Sequence, residues 1–146
     1  MTKEEKRELD RELIKVIGIP DNRVSHYEDK EVFSWVIDQS RPGCIKSIRG
    51  FNPSEKINDA FEVLDALRKK FFHIGVCFQL TEGSSPIMGF RAEITHLTKK
   101  IETVNLRAIE ETRALAISVV CREAYKSLSE VEANRDWYKV IEKEGE

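Results

Sequence analysis

The chain has 146 residues, of which 24 are Lys or Arg and 26 Asp or Glu, giving a net charge of −2. That length suits one compact domain with a core large enough to need no disulfide or metal staple. The near-balanced charge excludes the basic excess that general nucleic-acid binding requires, and hydrophobic residues at 40% place the chain among folded rather than disordered sequences.

The first predicted element is an amphipathic helix. Thr2 and Glu5 have capping-box spacing, and Leu9, Leu13, Val16 and Ile17 form one apolar stripe that Gly18 and Pro20 end. Residues 20–31 are polar and read as a loop. Residues 32–37 (VFSWVI) read as a strand, and a turn at 40–43 separates them from a short apolar segment at 45–48. A second helix is predicted to begin with Asn52 as cap, Pro53 at the first helical position and Glu55 completing the box. Its buried face is Ile57, Ala60, Phe61, Leu64, Leu67 and Phe71.

Alternation of apolar and polar residues then predicts a strand over 72–80, a turn over 81–86 and a strand over 88–94. Pairing Phe78 with Met88 brings Ile74 opposite Ala92 on one face, and Gly75 opposite Arg91 and His73 opposite Glu93 on the other. A further strand spans 102–109, with Val104, Leu106 and Ala108 on one face. Thr112 caps a helix over 113–128 whose first residues, 114–121, are apolar nearly all round and so predict burial on more than one side. Ser129 and Glu132 repeat the capping pattern ahead of a last amphipathic helix carrying Trp137, Tyr138 and Ile141. The fold class expected is α+β: an antiparallel sheet packed between helices, a three-layer sandwich over 1–128, with a C-terminal helix over 129–146.

Two stretches carry a resemblance. Residues 51–68 (FNPSEKINDAFEVLDALR) and 111–126 (ETRALAISVVCREAYK) are similar to the two signature helices of the phage ABA sandwich domain family, small proteins of tailed phages and prophages. The opening residues 7–10 (RELD) and 16–18 (VIG) resemble that family's first helix and its glycine exit. Phe61 stands where the family usually has Trp, and the segment bearing Trp137 looks like an addition. The resemblance covers about residues 5–128. It implies phage origin, a three-layer fold and an accessory role, and the family brings no defined activity or catalytic residues.

Cys44, Cys77 and Cys121 are scattered without C-x-x-C spacing, which fits a reducing cytosol and offers neither a zinc knuckle nor a redox pair. The charged N-terminus lacks the apolar core of a signal peptide, and no apolar run is long enough to span a bilayer. A cytoplasmic location, that of an infected bacterial host, and no membrane partner are expected.

The candidate chemistry lies in three places. Arg41, Lys46 and Arg49, with Phe51 and Ser54, lead into a helix N-terminus with one acid nearby, an arrangement suited to a phosphate or other anion with Phe51 stacked on a base. The competing reading is a solvated basic loop before an ordinary capped helix. Arg107, Thr112 and Arg113 form a similar second group, although Glu110 and Glu111 compete for its arginines. The strand face of His73, Arg91 and Glu93 is the candidate for acid–base chemistry, against a plain cross-strand ion pair. No metal-ligand spacing, cofactor loop or nucleophile motif is present, so no cofactor, no metal and no enzymatic activity are expected. The expectation is a homo-oligomeric accessory protein that sequesters an anionic small molecule, phosphorylated or of nucleotide type, to block host defence. The alternative is a protein–protein inhibitor or assembly factor that grips a host defence protein through Trp137, Tyr138 and Ile141.

Overall fold

A computed structural model describes residues 1–43, 46–97 and 102–133. Helix α1 (Lys3–Val16) begins as its capping residues predict, the Thr2 hydroxyl accepting the Glu5 N–H at 3.1 Å, and buries Leu9, Leu13, Ile14 and Val16. Strands β1 (Val24–Glu28), β2 (Phe33–Asp38) and β3 (Ile48–Phe51) form one antiparallel sheet in the order β1-β2-β3. The segment 20–31 is therefore not all loop. Its strand, VSHYE, is a polar edge strand with four exposed residues, so it carries no hydrophobic alternation to betray it. The inner face of this sheet meets α1: Trp35 Nε1 donates to the Arg7 carbonyl at 2.9 Å, and the Arg7 guanidinium lies 4.1 Å from the Phe33 ring centre.

Helix α2 (Ile57–His73) starts at Ile57 rather than Pro53, because residues 53–55 form a turn in which the Asn52 carbonyl accepts the N–H groups of Glu55 and Lys56. It also continues through residues expected in a strand. The helical period turns Phe71 into the core and Phe72 out to solvent, and Gly75, at φ +75°, closes the helix with the Val76 N–H bonded to the Phe71 carbonyl. The alternation over 72–80 is thus a helix end followed by extended chain.

Strands β4 (Gln79–Ser85), β5 (Gly89–Leu97) and β6 (Thr103–Glu110) form a second antiparallel sheet in the order β4-β5-β6. Residues 81–85, expected in a turn, are strand, and the reversal falls at 86–88. The register pairs Leu80 with Ile94, not Ile74 with Ala92, so His73 does not face Glu93. Helix α3 (Arg113–Ala133) begins at the Thr112 cap, whose hydroxyl accepts the Leu115 N–H at 3.2 Å. Ser129 does not restart a helix; its hydroxyl donates to the Lys126 carbonyl from inside α3, which runs unbroken through Ala133.

The fold is α+β: the described residues form three α-helices and six strands, the strands divided between two three-stranded antiparallel sheets rather than joined in one. Helix α3 packs on α1 and α2 as well as on β5 and β6, as its all-round apolar start predicts. Ala92, Ile94, His96 and Ala108 are the buried inner face of the second sheet, while Arg91, Arg107 and Ile109 on its outer face are exposed. Cys121 is buried and Cys77 exposed; Cys44 and Ile45 lie outside the described residues. No helix among the described residues is long and apolar enough to cross a membrane.

One buried polar contact ties α1 to the approach to α2. The Asp10 carboxylate accepts the Ser54 N–H and the Ser54 hydroxyl, each at 2.8 Å, with both residues almost wholly buried. Burial pushes the Asp10 carboxyl from 3.8 up to about 7; the Ser54 hydrogen bonds oppose the rise and the charges of Glu55 and Asp59 add to it. The folded protein then holds a proton that the unfolded chain has lost between those values, so stability falls as pH rises through the window. Thermal and urea melts between pH 5 and pH 7 are expected to lose up to about 1.4 kcal/mol per pH unit from this group. Asp10→Asn, which keeps an acceptor and removes the titration, should flatten that slope; an unchanged slope in the variant would contradict the assignment.

Candidate functional site

The residues expected to bind an anion are distributed by the fold into different roles. Arg41 and Lys46 are exposed in the β2–β3 connection. Arg49 lies in β3, not in a loop, and its Nη2 donates to both carboxylate oxygens of Glu62 at 2.6 Å, with Asp59 at 3.9 Å. Phe51 is completely buried in the core and has no face for a base. Ser54 is spent on Asp10, and Thr112 caps α3. Arg113 makes a two-point pair with Glu82, at 2.6 and 2.8 Å, and its guanidinium lies 4.9 Å from the Phe61 ring centre. That pair holds the Glu82 carboxyl below its ordinary range. Arg49 and Arg113 do both reach α2, at the consecutive residues Glu62 and Phe61, but each arrives already neutralised. Trp137, Tyr138 and Ile141 lie outside the described residues.

Arg107 parts from Thr112 and Arg113 because successive side chains of a strand point to opposite faces. Its position in β6 sends it to the outer face of the second sheet, opposite Glu93 in the register, with Ile109 opposite Arg91 and Arg91 opposite Gly83. Arg107 Nε donates to Glu93 Oε1 at 2.7 Å, and Arg91 Nη1 lies 3.5 Å from the same oxygen. Two guanidinium groups therefore share one carboxylate. The carboxylate side chain is 14% exposed, whereas Arg91 is 43% and Arg107 57% open to solvent.

Glycine shapes this surface. The Arg91 guanidinium lies over Gly83, where an added Cβ would come within 2.8 Å of Nη2. Gly89 has φ +94°, and a Cβ there would meet the Glu110 carbonyl oxygen at 2.5 Å. The result is an open concavity of about 370 Å³ lined by Gly83, Ser85, Met88, Arg91, Arg107 and Ile109. Ser85 Oγ accepts the N–H groups of Ile87 and Met88, each at 3.3 Å, which fixes the reversal at its rim. This arrangement can hold an anion against the arginines and an apolar group against Ile109 and Met88. A second concavity of about 270 Å³ beside α1 mixes Lys3, Lys6 and Arg7 with Glu28, Asp29 and Glu31, so its charges largely cancel.

Comparison with protein-family models, with curated proteins and with solved structures finds no match to this chain. The outer face was partly legible in the sequence, where alternation sets Gly89, Arg91 and Glu93 on one side. In the register of β4, Gly83 stands where Gly75 was expected and Thr81 where His73 was, and Arg107 faces Glu93 from β6 on the other side.

The pairing of Arg49 with Glu62 and Asp59 makes it a stability residue. Arg49→Ala is expected to cost about 1–3 kcal/mol in urea denaturation, by leaving two carboxylates on α2 without their cation. A change within about 0.5 kcal/mol, the scale of a surface substitution, would contradict this.

Proposed function

We propose that the protein is a non-catalytic binding protein whose outer face on the second sheet receives an anionic partner. The observation that carries this reading is the sharing of Glu93 between Arg91 and Arg107, the two arginines that line the concavity. One carboxylate cannot balance two exposed guanidinium groups, and the remaining positive charge sits where a ligand has room. Glu93 is held by its two cations and Ser85 Oγ by two backbone donors, so neither is poised as a base or a nucleophile.

The phage or prophage origin, the accessory and anti-defence role, action in the host cytoplasm and the three-layer sandwich with an added C-terminal helix belong to the same proposal, and their support is the resemblance of residues 51–68 and 111–126. A phosphorylated or nucleotide-type molecule is one source of the anion, taken up here through Arg91 and Arg107, because Arg49 and Arg113 are already paired.

A second reading has its own support. Ile87 at 94% exposure and Met88 beside it form an apolar tip on the β4–β5 hairpin, a feature that suits docking of a partner protein or a second copy in a homo-oligomer. Its other expected anchors, Trp137, Tyr138 and Ile141, lie outside the described residues.

Isothermal calorimetry of the intact chain against inorganic phosphate, nucleoside monophosphates and small carboxylates tests the first reading. At least one of these anions is expected to bind, with affinity reduced about tenfold or more by Arg91→Ala and by Arg107→Ala. Arg113→Ala should leave it unchanged. Binding that ignores both outer-face substitutions, or no binding to any anion, would contradict it.

A further inference from the structure

We infer that the outer-face concavity selects anions of a single negative charge carrying an apolar group beside the charge, and disfavours multiply charged phosphates. The inference rests on the reading of that face as an anion site and adds what it would accept.

Charge comes first. Arg91 and Arg107 contribute two positive charges and Glu93 one negative, all within one ion-paired cluster on the same sheet face. A singly charged ligand brings the cluster to neutrality. A second ligand charge would find both guanidinium groups already engaged and would be repelled by the Glu93 charge paired with them, which is too enclosed for water to screen it fully. Glu93 thus acts as the residue that limits ligand charge, in the same way that a like charge in a pocket rejects a wrong partner.

Shape and polarity supply the rest. A concavity of about 370 Å³ is near the lower end of the roughly 300–1,000 Å³ found for small-molecule sites. Ile109 stands opposite Arg91 in the register and Met88 precedes Gly89, so apolar surface adjoins the guanidinium groups directly. Gly83 is covered by the Arg91 guanidinium and Gly89 closes on the Glu110 carbonyl, so the apolar body of the ligand would rest on Ile109 and Met88 while its anion meets the arginines. Met88, unbranched and polarisable, can adapt to that group. The shared chemistry is a monoanion with an adjoining apolar body, whether a carboxylate or a phosphodiester.

Four probes separate charge, apolar body and source: phenylpropionate and diphenyl phosphate, each with one charge; phenyl phosphate, with two at pH 8; and inorganic phosphate, with no apolar group. Calorimetry of the wild-type chain is expected to show at least one of the two monoanions binding about tenfold or more tightly than phenyl phosphate and inorganic phosphate. Which monoanion binds better identifies a carboxylate or a phosphodiester as the natural headgroup. Methyl resonances of Ile109 and Met88 should shift on titration. Glu93→Gln is expected to move the preference toward phenyl phosphate by about tenfold relative to phenylpropionate. If phenyl phosphate binds wild type more tightly than both monoanions, through Arg91 and Arg107, the charge limit is wrong while the anion site stands. If Glu93→Gln stays folded and its preference is unchanged, the role of Glu93 is wrong. If no probe binds, or the shifting methyls lie elsewhere, both the selectivity and the site are overturned.

Discussion

Burial of α3 on two sides at once is the constraint on which the rest of the structure depends. Residues such as Leu115, Ile117, Val120 and Cys121 are almost fully buried, and the helix meets α1 and α2 as well as β5 and β6. A helix apolar nearly all round must be enclosed, and it takes the inner face of the second sheet as one of its walls. Ala92, Ile94 and Ala108 supply the apolar part of that wall, and the polar exceptions are satisfied locally: the ring nitrogens of buried His96 meet the Leu97 carbonyl and the Ser127 hydroxyl. With the inner face committed to α3, polar and charged residues of the same strands are driven to the outer face by the two-residue period of a strand.

That division also decides which arginines are structural. Arg49 and Arg113 approach α2: Arg49 donates to both oxygens of Glu62 on that helix, Arg113 makes a two-point pair with Glu82 of β4, and the Phe51 and Phe61 rings lie within reach of the two guanidinium groups. Such contacts join the sheets to the helices and leave little charge to offer a ligand. Arg91 and Arg107, on the far side of β5 and β6, compete for a single acid. The distinction is one of register rather than of residue type. A helix-proximal arginine and an outer-face arginine look alike in a list of bases, and only strand pairing separates them.

The helical framework was legible where capping chemistry and apolar period agree. Thr2, Thr112 and the stripe of Leu9 and Leu13 place α1 and the start of α3 correctly, and Val104, Leu106 and Ala108 mark the inner face of β6. The strands were less legible for identifiable reasons. β1 is a polar edge, and 81–85 has the Ser, Gly and Thr content of a turn because its outer face is wet and Gly83 makes room for Arg91. Around 72–78, alternation misled because a helix terminus closed by Gly75 mimics it. That one misreading moved the hairpin register and placed His73 opposite Glu93, a position that Thr81 and Arg107 occupy. Sequence alone gives Phe51 and Ser54 the look of ligand contacts because a helix entry rich in polar residues is the same whether it faces solvent or, as here, packs inward, with Phe51 in the core and Ser54 on the Asp10 carboxylate.

Anion recognition is proposed for the outer face of the second sheet, whereas the arginines around α2 are paired within the fold. The most direct measurement is to follow the side-chain Nε–H resonances of all four arginines in nitrogen-labelled protein as a small aromatic carboxylate is added. The account predicts that Arg91 and Arg107 shift with the titration while Arg49 and Arg113 stay in place. Movement of Arg49 and Arg113 with Arg91 and Arg107 unaffected would contradict it.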